Sequence, residues 1–169
     1  MSTYKKNYLI LVDYIKMNQD NFYRLAYSYV KNKEAALDIV QESIYKALKS
    51  VETIRNSSYI KTWMYRVIVN TSISYIRKNK KEILKDEICD ITEPETVSLA
   101  DKIDLYNAID LLDEIHKTVI ILRYFEDMKI EDIAKVTDCN INTVKTRIYS
   151  AVSKLRIILK EREYYGSEI

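Results

Sequence analysis

The chain has 169 residues, nearly half of them apolar, and a formal net charge of only +2; that suits one domain or two small ones and excludes a global polycation. One glycine and one proline exclude sheet-rich folds, whose hairpins need turn residues, and leave no glycine-rich loop for a P-loop or Rossmann site. The single histidine, His116, lies in a helical run beside Lys117 and reads as a surface or capping residue, which argues against Ser-His-Asp chemistry, while Cys89 and Cys139 stand too far apart for a zinc pattern and suit a reducing cytoplasm.

Helical periodicity from end to end predicts an all-α protein. The first apolar run, Tyr8–Val12, is too short to span a membrane and no small-residue cleavage site follows it, so it reads as a soluble leading helix. A helix is expected over Asn18–Val30, with Phe22, Leu25, Ala26 and Tyr29 on one face. Asn32 then caps a second helix, Lys33–Val51, whose apolar stripe is Ala36, Ile39, Val40, Ile44, Ala47 and Leu48. Its other face shows Asp38, Gln41, Glu42 and Lys46, a pattern that solvent exposure alone also explains.

Asn56-Ser57-Ser58 opens a third helix running to about Lys80. Tyr59, Lys61, Trp63, Tyr65, Arg66, Tyr75, Arg77 and Lys78 make it rich in aromatics and cations. At least one of Trp63 and Met64 belongs to the core, and 15 tyrosines in the chain dilute the aromatic signal. Aromatics interleaved with Arg and Lys beside a polar loop are nonetheless what single-stranded DNA binding requires. Bases stack on aromatic faces, worth about 1–3 kcal/mol each, while cations hold phosphates.

Charge is sorted by segment. Arg77-Lys78-Asn79-Lys80-Lys81 is a basic block at the end of the third helix, also consistent with a helix end favoured by the dipole. The balance then reverses through Asp86, Glu87, Asp90, Glu93, Glu95, Asp101 and Asp104, and Pro94 interrupts the run. Acidity, weak periodicity and the proline predict a linker at 84–101 between helical domains at about 14–82 and 103–162. Periodicity resumes at Leu105, Ile109 and Leu112.

The most informative segment is Ile130–Arg156. A short helix pattern (Ile130, Ile133, Ala134, Val136) meets a break at Thr137-Asp138, and Asn140 stands where an N-cap belongs. Cys139 is expected to fill a small apolar slot in the turn. The second helix places Val144, Ile148, Val152 and Leu155 on one face and Asn142, Thr146, Tyr149, Ser150 and Ser153 on the other, flanked by Thr143, Lys145 and Arg147. Two short helices joined by a tight turn, the second polar and basic outside, are the arrangement that places a helix in the DNA major groove, and an ordinary helical hairpin with a solvated charged face is the alternative.

Several stretches resemble one family, the extracytoplasmic-function (ECF) group of bacterial sigma factors. Ala36-Leu37-Asp38-Ile39-Val40-Gln41-Glu42 resembles its helix that docks on the RNA polymerase β′ clamp helices. Ile60–Asn70, continuing to Tyr75-Ile76-Arg77-Lys78, resembles its −10 promoter segment. Leu122–Met128, Glu131-Asp132-Ile133-Ala134 and Thr143–Arg147 resemble its −35-binding domain. Ser74 departs from the family's usual Asp, and Asp127 and Asn142 occupy places that often hold Gly, where Asn tolerates left-handed backbone and also caps helices. The tyrosine-rich start and Asn140–Arg147 look closest to the sigma-V type, a branch implicated in cell-envelope stress.

The resemblance implies two small helical domains, sigma regions 2 and 4, and a subunit of RNA polymerase that is no enzyme by itself and needs no cofactor or small-molecule substrate. Its implied partners are core RNA polymerase (β′ clamp helices and β flap), promoter DNA and a membrane-anchored anti-sigma factor. Asp38, Gln41 and Glu42 would dock on the clamp. Loop Glu52–Ser58 would hold a flipped −10 base with Asn56 reading its edge, Tyr59, Trp63, Arg66 and Asn70 would line the strand, and Arg77 and Lys78 would hold duplex phosphates. Asn142, Thr146, Tyr149 and Ser150 would reach −35 base edges, with Thr143, Lys145 and Arg147 on the phosphates. A helix-turn-helix regulator acting without polymerase would explain 130–156 equally well, but not the aromatic-basic helix or the Asp38-Gln41-Glu42 face. A protein-binding helical scaffold is the third reading.

Overall fold

The computed structural model describes residues 3–86 and 105–166. The described residues hold no strand. Their helices are α1 (Thr3–Val30), α2 (Lys33–Lys49), α3 (Ile60–Asp86), α4 (Leu105–Asp110), α5 (Glu114–Ile120), α6 (Ile130–Thr137) and α7 (Ile141–Gly166). They form two compact units, one built on α1, α2 and α3, the other on α4, α5, α7 and most of α6. No described helix is long and apolar enough to cross a membrane. The all-α, two-domain expectation therefore holds. Residues 87–101 of the acidic linker, with Cys89, lie outside the described residues. The near end of that segment is helical, because α3 continues past Lys80 to Asp86; no Gly or Pro stands between those residues to stop it.

The first unit departs from expectation at its start. Residues 8–12 and 18–30 belong to one helix, α1, of 28 residues. Asn18, read as a helix start, instead donates its side-chain amide to the Tyr14 carbonyl at 2.9 Å, one turn back within the helix. Leu11, Ile15, Phe22, Leu25, Ala26 and Tyr29 form its buried stripe. The turn into α2 has no glycine. Lys31 takes the left-handed conformation (φ 52°) and its N–H closes α1 on the Tyr27 carbonyl at 2.9 Å. Asn32 caps α2 as expected, its Oδ1 accepting from the Ala35 N–H at 2.9 Å.

Against α1, α2 buries mostly small side chains, Ala35, Ala36, Ser43 and Ala47 beside Ile39 and Val40. It ends at Lys49, two residues short of the expected Val51, because Val51–Thr53 tighten into a 3₁₀ turn that buries Val51. A second 3₁₀ turn at Ser57–Tyr59 delivers the chain to α3. Met64 and Ile68 of α3 are fully buried, and the Tyr65 ring meets Phe22 edge-on, centroids 6.1 Å apart.

In the second unit Asp113 caps α5, its carboxylate accepting from the His116 N–H at 3.0 Å. The helix then widens into one π-helical turn, Ile121–Phe125, closed by the Glu126 N–H on the Ile121 carbonyl. Asp127 follows at φ 48°, supplying the left-handed backbone a glycine would adopt, and Arg123 Nη1 donates to the Met128 carbonyl at 2.9 Å. This detour buries both Leu122 and Met128.

Two substitutions probe the first unit. Phe22→Ala removes a fully buried ring and is expected to destabilise by about 3–5 kcal/mol; Asn32→Ala removes the α2 cap and is expected to cost about 1 kcal/mol. Urea denaturation of the full chain, followed by circular dichroism, measures both.

Candidate nucleic-acid interface

Rotation of α3 about its axis is fixed by its buried residues. Ile60, Met64, Tyr65, Ile68, Val69 and Ser72 face the core. At 100° per residue, Trp63, Arg66, Asn70 and Arg77 share the opposite face. They stand three, four and seven residues apart, forming a stripe about 21 Å long. Asn70 and Arg77 are exposed, while Trp63 and Arg66 are half-buried. The competition between Trp63 and Met64 is thus resolved: Met64 is the core residue, and Trp63 keeps part of its ring accessible. Tyr59, in the 3₁₀ turn ahead of the helix, is 51% exposed. Lys78 lies one position round the helix from Arg77 and is also exposed.

The loop before α3 is ordered by its own side chains. Asn56 is exposed, and its Oδ1 accepts from the Ser58 N–H at 2.9 Å, capping the second 3₁₀ turn. What Asn56 can present to a base edge is therefore chiefly its Nδ2 donor pair.

Asp38, Gln41 and Glu42 are all exposed on the side of α2 that faces away from α1. Glu42 pairs with Lys46 one turn on at 2.6 Å, both half-exposed. Two neighbours were not among the residues expected to dock: Leu37 and Tyr45 are 51% and 64% exposed, and Lys49 Nζ sits 5.9 Å from the centre of the Tyr45 ring. Their signal was a violation of the amphipathic pattern, large apolar side chains outside the apolar stripe.

The turn between α6 and α7 follows the sequence closely. Asp138 is left-handed (φ 55°), and the Cys139 N–H bonds the Ala134 carbonyl at 3.0 Å, the wrap that closes a helix C-terminus. Asn140 Oδ1 accepts from the Thr143 N–H at 2.7 Å, opening α7. Asn142 lies inside the first turn of α7. It neither caps the helix nor takes left-handed backbone, so those two roles belong to Asn140 and Asp138. Cys139 is half-exposed and accepts a hydrogen bond from Arg147 Nη1 at 2.9 Å, which adds a polar contact to the packing role expected of it.

With Val144, Ala151 and Leu155 buried, α7 turns Asn142, Lys145, Thr146, Tyr149 and Ser153 outward, all exposed. Tyr149 is 75% exposed. Thr146 donates its hydroxyl to the Asn142 carbonyl at 3.0 Å, leaving its methyl and an oxygen lone pair for a groove; such a methyl matches the C5-methyl of thymine. Thr143 and Arg147 are half-buried on one flank. Arg156 is exposed on the same side of α7 as Lys145, three turns further on.

Ser150 differs from the rest of that group. It is half-buried, and its Oγ lies 3.1 Å from His116 Nε2 on α5. His116 Nδ1 lies 2.7 Å from both carboxylate oxygens of Asp113, and Lys154 Nζ donates to Asp113 at 2.8 Å. These four residues clamp α7 to the start of α5, so Ser150 faces its own domain. The Lys154 hydrogen bond is the main reason the Asp113 carboxyl is held well below the usual carboxylate range; burial opposes this, and the His116 backbone and ring add to it.

Residues 14–82 match Sigma-70 region 2, and residues 102–155 match Sigma-70, region 4. Over 155 residues, 91% of this chain and 93% of its relative, the sequence is 48% identical to RNA polymerase sigma factor SigV of Bacillus subtilis (strain 168). This chain belongs to the extracytoplasmic-function group of RNA polymerase sigma factors. It is also 32% identical to the ECF RNA polymerase sigma-E factor of Haemophilus influenzae, over 83% of this chain and 89% of that one. The fold of this sigma factor is shared with the sigma factor RpoE of Bartonella quintana, solved in complex with the anti-sigma factor NepR (TM-score 0.70, 24% identity, 88% of this chain and 95% of that one). CnrH, solved with the cytosolic domain of CnrY, is similar at TM-score 0.67 and 17% identity, over 89% of this chain and 88% of that one.

The Asp113 clamp gives a pH prediction. A carboxylate whose folded pKa is depressed contributes stability above its unfolded pKa of about 4 and loses it as pH falls below that value. Because the Asp113 side chain is half-exposed, the contribution is expected to be no more than about 1 kcal/mol. Asp113→Asn keeps a capping side chain but removes the charge. Thermal melts of the full chain between pH 7 and pH 3 should show a stability difference at pH 7 that shrinks below about pH 4; a difference independent of pH would contradict the clamp.

Proposed function

We propose that this sigma factor binds core RNA polymerase and directs promoter-specific initiation through two separate DNA-reading surfaces. Residues 14–82 take the polymerase and the −10 element, residues 103–162 take the −35 element, and the acidic segment 84–101 tethers them. The α2 face of Asp38, Gln41 and Glu42, extended by Leu37 and Tyr45, docks on the β′ clamp helices, and the second domain engages the β flap. Asn56 and Tyr59 meet the melted −10 strand first, Trp63, Arg66 and Asn70 carry it along α3, and Arg77 and Lys78 hold upstream phosphates. The chemistry of polymerisation belongs to the core enzyme, so this chain is no enzyme itself and acts in the cytoplasm where the core is.

The observation that carries this reading is the stripe on α3. Trp63, Arg66, Asn70 and Arg77 stand in register on the face of α3 opposite its core. The stripe combines the aromatic and guanidinium groups that single-strand binding uses. On α7, Asn142, Thr146 and Tyr149 read base edges, Lys145 and Thr143 meet phosphates, and Arg147, tied to Cys139 by one of its five donors, has others to offer. Ser150 takes a supporting place through His116. RpoE was solved with the anti-sigma factor NepR and CnrH with the cytosolic domain of CnrY; a membrane-anchored anti-sigma factor covering the polymerase-binding faces is the corresponding partner here, in an envelope-stress response of the sigma-V type.

Run-off transcription with purified core polymerase, with and without this chain, tests the proposal. Initiation that depends on the chain, at promoters sharing −35 and −10 elements, is expected; specific duplex binding with no initiation would instead indicate a regulator that works without polymerase. Within the −35 surface, Lys145→Ala is expected to weaken binding on every promoter and lower the salt slope by roughly one unit. Substitutions at Asn142 or Thr146 should change which promoters are used. A Lys145→Ala variant with altered preference and an unchanged salt slope would overturn that division of roles.

A further inference from the structure

Asn7 is the odd member of the buried stripe of α1. It stands one helical turn before Leu11 and two before Ile15, in line with them, yet it is polar and only 3% exposed. A leucine would serve the packing equally well, and Asn is a poor residue for a helix interior. What its side chain does is specific. Its Nδ2 donates to the carbonyl oxygen of Ile54 at 2.6 Å, across 47 residues of sequence. Ile54 is itself buried and extended (φ −80°, ψ 106°), the single link between the 3₁₀ turn at Val51–Thr53 and the exposed Arg55-Asn56 tip. Its N–H is spent on the Val51 carbonyl. Its carbonyl is buried and accepts from the Asn7 amide. At this contact Tyr4, Asn7, Val51, Glu52, Ile54 and Arg55 line an open cleft of about 460 Å³. Asn7 also precedes the segment matched to region 2, which begins at residue 14.

We propose that Asn7 is a positioning residue for −10 recognition: its buried amide holds the Ile54 carbonyl and thereby sets where Asn56 and Tyr59 meet the melted strand. This rests on the reading of loop Glu52–Ser58 as the −10 reader. A positioning role predicts loss of selectivity at the −10 element and no loss elsewhere. Without the amide the buried carbonyl has no donor, and the loop can relieve that only by moving toward water.

The test uses the full chain in holoenzyme with core polymerase. Asn7→Leu keeps the side-chain size and removes the donor; Asn7→Asp keeps the shape and places a carboxylate against the carbonyl. Run-off transcription is compared on the best promoter found for the wild type and on versions changed at one −10 or one −35 position. Both variants are expected to bind core polymerase as the wild type does and to keep −35 discrimination, while −10 discrimination falls about fivefold or more. Unchanged −10 discrimination, or equal losses at both elements and in core binding, would overturn the proposal. Asn56→Ala separates the levels: if it changes −10 discrimination while the Asn7 variants do not, only the Asn7 role fails; if Asn56→Ala is also silent, the reading of the loop fails with it. A measurement on the wild type needs no variant to fold. The Asn7 side-chain amide protons should exchange with solvent far more slowly than those of the exposed Asn56, and equal rates would overturn the proposal.

Discussion

Burial of one face of each helix decides what its other face can do. Met64, Ile68 and Val69 of α3 are drawn out of water, each worth on the order of 1.5–3 kcal/mol when fully buried, and no surface contact of this chain approaches their sum. They fix the rotation of α3, and with it the direction of Trp63, Arg66, Asn70 and Arg77. Val144, Ala151 and Leu155 do the same for α7, and Ala36 and Ile39 for α2. The exposed polar and aromatic groups of these helices are thereby aimed by apolar residues on the opposite faces.

Polar side chains then divide into those that hold the frame and those left to meet a ligand. Asn32, Asn56, Asp113 and Asn140 each satisfy backbone N–H groups at the start of a helix or turn. Thr146 turns its hydroxyl back on its own helix, and Ser150 is drawn into the Asp113–His116–Lys154 cluster. Residue type alone does not separate these duties. An Asn at a helix start and an Asn on a recognition face look alike in sequence, and only the bonds around Asn140 and Asn142 tell them apart.

That is also the boundary of what sequence makes legible. The all-α class, the Asn32 and Asn140 caps, the break at Asp138 and the outward side of α7 followed from periodicity and turn chemistry, because those rules act within a few residues. The continuity of α1 through Asn18 did not, since an Asn that bonds one turn back within a helix resembles an Asn that starts one. The inward turn of Ser150 depended on His116, 34 residues away, and local pattern is silent about such pairs. Leu37 and Tyr45 were visible as breaches of the amphipathic stripe and were masked by their charged neighbours. Glycine scarcity showed its effect only in three dimensions: among the described residues Lys31, Asp127 and Asp138 carry the left-handed turns.

The bond between Asn7 and Ile54 joins the first turns of the chain to a loop that lies beyond the second helix. During synthesis from the N-terminus, α1 emerges long before its loop partner does, and α3 must follow before the Phe22 ring meets Tyr65. The first domain therefore matures late relative to its own first helix, closing through contacts distant along the chain, which slow folding. The Glu52–Ser58 loop is among the parts that wait. A nascent chain stopped after α2 would display the exposed Asp38, Gln41 and Glu42 face of that helix before the Glu52–Ser58 loop had the rest of its domain to pack against.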